Sequence, residues 1–137
     1  MRALLSILLL AVPAAGADLA AVRSEAGIQL DGRLNEPAWR DAPAIELTQQ
    51  KPRPGEPTPF RTLVRVLIAR NVLYFGFDCT DPEPSRIAVH TMQRDALLDG
   101  DDNLSVVLDT YGDRRTGFYF QINAAAARAD GLISDPE

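Results

Sequence analysis

Cysteine, histidine and tryptophan each occur once in this chain of 137 residues. With Cys79 alone, no internal disulfide is available, which is notable if the chain is exported. Cys79 ends an apolar alternating run, where a small buried hydrophobe is the expected role. A lone His90 excludes a zinc site built from several His or Cys side chains. No G-x-S-x-G occurs, so His90 has no activated serine to serve. Basic residues are few for a nucleic-acid binder: 14 against 19 acids, a net charge of −5. A chain this acidic lacks the electrostatic footprint for a phosphate backbone or an anionic membrane surface. Beyond the first residues no apolar stretch approaches the ~18 residues that a spanning helix needs. No internal repeat is present.

The N-terminus has what the rest lacks. Arg2 precedes an apolar run from Ala3 to Val12, broken only by Ser6; Pro13 ends it, and Ala15-Gly16-Ala17 is a small-residue cleavage pattern. Residues 1–17 therefore read as a secretory signal peptide. Its removal leaves 13 basic and 19 acidic residues, a net charge of −6. The expected location is exported: periplasm, outer membrane or bacterial cell surface. About 120 residues remain, the size of one domain with a real core. Residues 18–26 read as an N-terminal extension and 27–137 as the module.

Hydrophobic periodicity assigns mostly strands. Gly27 to Leu30 is a short strand candidate, turned by Asp31-Gly32. Pro37 suits the first turn of a short helix to Asp41, with Asn35 or Glu36 as its cap. Ala44 to Thr48 reads as a strand. Gln49 to Pro59 holds four prolines and a glycine, an extended loop. Arg61–Ala69 and Val72–Cys79 alternate strictly about Arg70-Asn71, which makes an antiparallel hairpin. In the second strand Leu73, Phe75, Phe77 and Cys79 form the expected core face, leaving Tyr74 opposite. Arg86 to Met92 reads as a strand. Leu104–Thr110 and Gly117–Asn123 alternate about a turn on Gly112-Asp113. Phe118, Phe120 and Ile122 face one way, Tyr119 and Gln121 the other. Ala124–Ala127 has weak helical propensity. Asp130-Gly131 reads as a turn, with Leu132-Ile133 opening a further strand. The expected class is all-β: an antiparallel, jelly-roll-like sandwich. The chain stops without a closing strand, so the sandwich is expected to be truncated at its C-terminal end, the front of a larger protein.

The ordered set DGRLNEPAW, VRVLIARNVLYFGFDCTDPEP, RDALLDGDDNLSVVLDTYGDRRTGFYFQIN and ADGLISD resembles the family 9-like carbohydrate-binding modules. It is most similar to those at the front of large exported bacterial proteins with a β-barrel-like C-terminal region. The resemblance spans Ile28 to Asp135. It implies an antiparallel sandwich, a sugar ligand and a calcium ion, often beside a glycoside hydrolase. Asp31-Gly32, Glu36 and Trp39 match the family's opening motif, whose tryptophan is mainly structural. Asp102 and Asp109 match the acids that open and close its central strand. Two positions depart: no aromatic precedes that strand, and Ser105 stands where sugar-binding members carry glutamate.

Three groups are candidate sites. Trp39 is either a core anchor or a stacking platform for a sugar. Asp95, Asp99, Asp101, Asp102 and Asn103 bring five oxygen-bearing side chains within nine residues, the chemistry that calcium takes. They are equally an acidic solvated loop, since Leu104 and Thr110 stand where a calcium loop needs glycine and glutamate. Tyr74, Tyr111, Tyr119, Gln121 and Asn123, with Arg65, offer rings and amides of the kind an oligo- or polysaccharide needs; cross-strand packing is the competing role. Arg114-Arg115 is a charged turn. The expected function is carbohydrate binding by a non-catalytic exported module, serving carbohydrate catabolism in a larger protein. The alternatives are a docking domain on an outer-membrane barrel, partnered by the absent C-terminal region, and part of a glycoside hydrolase. The last needs two carboxylates set across a cleft.

Overall fold

The computed structural model describes residues 18–134. The leader read over residues 1–17 lies outside them. The chain is all-β, with two antiparallel-rich sheets and one five-residue α-helix among the described residues. It divides into two compact units at Pro82 and Glu83, each holding one sheet. Among the described residues no helix is long and apolar enough to cross a membrane.

The first unit is organised by one hairpin. Strands β3 (Thr62–Ala69) and β4 (Val72–Cys79) pair along their whole length, from Thr62–Cys79 to Ala69–Val72. Arg70 and Asn71 both have positive φ, 47° and 65°. That is the primed two-residue turn whose twist matches the strands. On the other edge of β3 lie β1 (Val22–Ser24), parallel to Leu67–Ala69, and β2 (Ile45–Glu46), antiparallel to Leu63–Val64. The residues read as an N-terminal extension therefore supply a strand. Three residues carry too little alternation to announce it. The Gly27–Leu30 stretch is not a strand: the Gln29 N–H donates to the Glu36 carboxylate (2.8 Å), and Ile28 packs on the core.

Helix α1 (Pro37–Asp41) is where the sequence places it, with Pro37 in the first turn and Glu36 at the N-cap. One turn of helix has little stability of its own. It is held by Trp39, which is 3% exposed and packs with Ala42 and Leu67. Val22, Ile28, Leu34, Ala38 and Tyr74 surround this cluster. The indole lies directly on Gly76, where a Cβ would come within 2.8 Å of Cζ3. Gly76 is thus the floor on which the ring sits. Trp39 is the core anchor of its two open readings, and its ring is closed to solvent. Tyr74 is half-buried. It lies on the Trp39 side of the sheet and packs against the core. Cys79 is corrected: it is exposed at the end of β4.

The second unit holds the sheet β5 (Asn103–Leu108), β6 (Gly117–Asn123), β7 (Arg128–Ile133), in that spatial order and antiparallel throughout. The β5–β6 loop is closed by two aspartates. Asp109 accepts the N–H groups of Gly112, Asp113 and Arg114, and Asp113 those of Arg115 and Thr116. The β6–β7 turn falls on residues 124–127, not on Asp130-Gly131. Asn123 builds it by accepting the Ala125 and Ala127 N–H groups on its side-chain oxygen, with Ala126 at a φ of 66°. An Asx-type bond of this kind outcompetes the helical propensity of four alanines. Gly131 then falls inside β7, opposite Tyr119.

Candidate functional site

The acidic segment before β5 proves to be a clamp. The stretch read as a strand over Arg86–Met92 forms a 3-10 turn at Pro84–Arg86 and then runs extended without a ladder partner. Carboxylates take the place of that partner. The Ala88 N–H donates to Asp102 Oδ2 (2.7 Å), the Asp102 N–H returns to the Ala88 carbonyl (2.9 Å), and the His90 N–H donates to Asp101 Oδ1 (2.7 Å). Alternate amides of the segment, Ala88 and His90, thus find acceptors as they would along a strand, here on two adjacent carboxylates.

Asp101 is the centre of the clamp. Its side chain is 2% exposed, while that of His90, whose Nδ1 lies 2.8 Å from Oδ1, is 71% exposed. Asp101 Oδ2 accepts the Asn123 amide (2.7 Å), and the same amide donates to the Thr91 carbonyl (2.8 Å). Leu98, Ala127 and Ala129 form the small apolar cluster of this unit. The carboxyl of Asp101 is held below the ordinary aspartate range. The Asn123 amide is the largest cause; burial opposes it, and the His90 N–H, the His90 ring and the Thr91 backbone add to the lowering. Asp113 is lowered too, first by the Thr116 hydroxyl and then by the Thr116 and Arg115 N–H groups.

These bonds make stability depend on pH in a defined direction. A carboxyl whose folded pKa is depressed stabilises the fold above its unfolded value, here 3.8, and that contribution is lost as pH falls through the lower folded value. The thermal midpoint is therefore expected to drop most steeply below pH 3.8. Asp101→Asn, which cannot titrate, is expected to start lower and to flatten that drop. A parallel acid profile in the variant would refute the assignment.

The same geometry engages four of the five oxygen-bearing side chains, and the fifth, Asp99, is exposed in the turn before them. Both Asp101 oxygens and Asp102 Oδ2 are engaged by protein donors, and Asn103 Nδ2 donates to the Leu98 and Asp101 carbonyls. Asp95 pairs with Arg94. Among the described residues no group of three or more His, Cys, Asp or Glu side chains is disposed to hold a metal ion. The set as arranged does not fit a shared calcium ion.

The aromatic and amide candidates separate. Tyr111 stands at the β5–β6 loop and is 78% exposed. Asn123 is 5% exposed and committed to the clamp and the turn. Arg65 belongs to the first unit, and its Nε is buried without a partner there. Tyr119 and Gln121 remain, side by side on one face of β6. Register places Val107 and Gly131 on either side of Tyr119, and Ser105 and Ala129 on either side of Gln121. The tyrosine reclines onto Gly131: a Cβ there would lie 2.6 Å from Cε1 and 2.8 Å from Oη. The glycine makes room for the ring and holds it down on the sheet. Gln121 Nε2 donates to Ser105 Oγ (3.0 Å), which donates on to Asn103 Oδ1 (3.2 Å). One end of this face, at Asn123 and Ala129, is buried under the Leu98 segment; the other is open, with Val107 61% exposed. Val107, Ser105 and Gly131 are not among the candidates that the sequence offers. Counting outward from a two-residue turn at Gly112-Asp113 would put Val107 opposite Phe118; the observed register, Val107 with Tyr119 and Ser105 with Gln121, is offset by one residue. Gly131 is hidden in the sequence by its likeness to a turn residue.

Comparison of the chain with protein-family models, with curated proteins and with solved structures finds no match. The functional reading therefore rests on this face and the residues that build it.

Proposed function

We propose that this chain is a non-catalytic carbohydrate-binding module of an exported protein, and that the sugar lies on the open half of the β5–β6–β7 sheet. The observation that carries the reading is the juxtaposition of Tyr119, laid on Gly131, with the Gln121–Ser105 amide–hydroxyl row one step away. A pyranose presents a C–H face and a rim of hydroxyls. The ring of Tyr119 meets the first and the polar row the second. The resemblance to family 9-like modules supports the same class. The acids Asp101, Asp102, Asp109 and Asp113 are engaged by N–H groups of the chain, which supports a binding rather than a hydrolytic role.

Affinity electrophoresis of the full chain through gels containing soluble polysaccharides tests the reading. Retardation by at least one polymer is expected, weakened about tenfold or more in Tyr119→Ala, the equivalent of about 1.4 kcal/mol. Unchanged retardation in Tyr119→Ala at native fold would remove the site; no retardation by any polymer would remove the function.

One observation favours a second reading, a docking domain within a larger exported protein. The opposite face of the same sheet carries Phe118, Phe120 and Leu132, which are 38%, 46% and 72% exposed. Exposed aromatic surface of this kind marks contact sites.

A further inference from the structure

Charge is distributed unevenly on the β5–β6–β7 sheet, and this bears on which sugars the Tyr119 face accepts. Along that face run Asn103, Ser105 and Val107 from β5, Gly117, Tyr119, Gln121 and Asn123 from β6, and Ala129, Gly131 and Ile133 from β7. None of these is charged. The charged residues of these strands, Arg128 and Asp130, alternate onto the other face, beside Ile122 and Phe120. Asp130 pairs there with Arg94. The acid that would continue the β5 row, Asp109, is turned into its loop and accepts three N–H groups. In a chain where 24% of residues are charged, a neutral working face is a selective feature.

We infer that the Tyr119 face binds uncharged glycans and rejects uronate-containing or sulfated ones. The inference rests on the carbohydrate-binding reading above and narrows it. Bringing a carboxylate or sulfate onto these strands strips water from the anion, and none of their residues on this face is a cation or charge-assisted donor to replace it; Arg114 and Arg115 stand beyond the strands, in the β5–β6 loop. Gln121 and Ser105 donate neutral hydrogen bonds only, and they donate them along their own row. Neutral hydroxyls carry no such penalty, because they exchange one neutral hydrogen bond for another. The net charge of −5 adds long-range repulsion against anionic polymers. That part is screened over about 8 Å at physiological salt, whereas the local mismatch persists.

The test compares polymers that share a backbone and differ in charge: hydroxyethyl cellulose against carboxymethyl cellulose, and methyl-esterified against free polygalacturonate. Binding of the full chain is measured at about 0.15 M salt, where long-range repulsion is screened. At least one neutral polymer is expected to bind, and its anionic counterpart at least tenfold more weakly. Val107→Lys places a cation beside Tyr119 at a position that is 61% exposed. It is expected to strengthen binding of the anionic counterpart at least tenfold, in a salt-sensitive way. Equal or tighter binding of the anionic polymer by the unmodified chain overturns the inference and leaves the carbohydrate-binding reading standing. Binding of neither member of either pair overturns the inference, and the retardation series above then decides the carbohydrate-binding reading.

Discussion

Trp39→Ala is expected to lower the stability of the first unit by about 3–5 kcal/mol, the range for deleting a buried aromatic ring. The ring is 3% exposed, and it packs in one cluster with residues of α1, the Ile28–Leu34 loop, β3 and β4. Its removal leaves a cavity that collapse cannot easily fill. Gly76 beneath it has no side chain to offer, and Ala38 and Ala42 beside it are short. A one-turn helix without its anchor has no reason to remain folded. Natural domains are stable by only about 5–15 kcal/mol, so the loss is a large share of the total. Trp39→Phe makes a useful contrast. The indole Nε1 has no hydrogen-bond partner, so phenylalanine forfeits packing area and no bond. It is expected to fall well short of the alanine effect. Urea unfolding followed by far-ultraviolet circular dichroism measures both. An alanine variant within about 1 kcal/mol of the parent would show that the ring is not the anchor.

Asn123→Ala is expected to cost about 2–6 kcal/mol and to release two structures at once. The side chain makes four hydrogen bonds: to Thr91 O and Asp101 Oδ2 as donor, and from the Ala125 and Ala127 N–H groups as acceptor. At about 0.5–1.5 kcal/mol net for each bond, with buried partners left behind, the sum falls in that range. Hydrogen exchange resolves the consequences. The Ala125 and Ala127 amides of the β6–β7 turn and the Ala88 and His90 amides of the clamped segment should all lose protection. Asn123→Asp separates the two roles. Its oxygen still accepts the turn amides, but its second oxygen faces Asp101 Oδ2, carboxylate against carboxylate. The turn amides are then expected to stay protected while the clamped segment loosens, and acidification to narrow the gap to the parent as the repulsion is protonated away. Protection unchanged at His90 in both variants would dismiss the clamp.

The two strong hairpins were legible because alternation over seven or eight residues has no competing explanation. β3, β4 and β6 fall within a residue of where the pattern places them. Helix α1 was legible from Pro37 and its neighbours. What the pattern misread were stretches whose amides are satisfied by side chains. Gln29 gives its N–H to Glu36, and Ala88 and His90 give theirs to Asp102 and Asp101. A strand and such a segment look alike in sequence, because both are extended and half apolar. The reverse error occurred at Asp130-Gly131, where a turn dipeptide lies inside β7 because Asn123 had already turned the chain.

The sequence by itself determined the class: period-two alternation, turn residues and a proline-rich loop admit little besides antiparallel β structure. It also named Tyr119 and Gln121 as neighbours on one face, since residues two apart on a strand must share a side. Only the tertiary structure decided what each tyrosine packs against and which acid is buried. Tyr74 and Tyr119 sit alike in their strands and both are half-buried, yet one packs against the Trp39 cluster and the other lies on Gly131. Asp101 resembles its acidic neighbours in sequence and is the one buried among donors. Those outcomes depend on partners distant along the chain, and alternation within a segment carries no record of them.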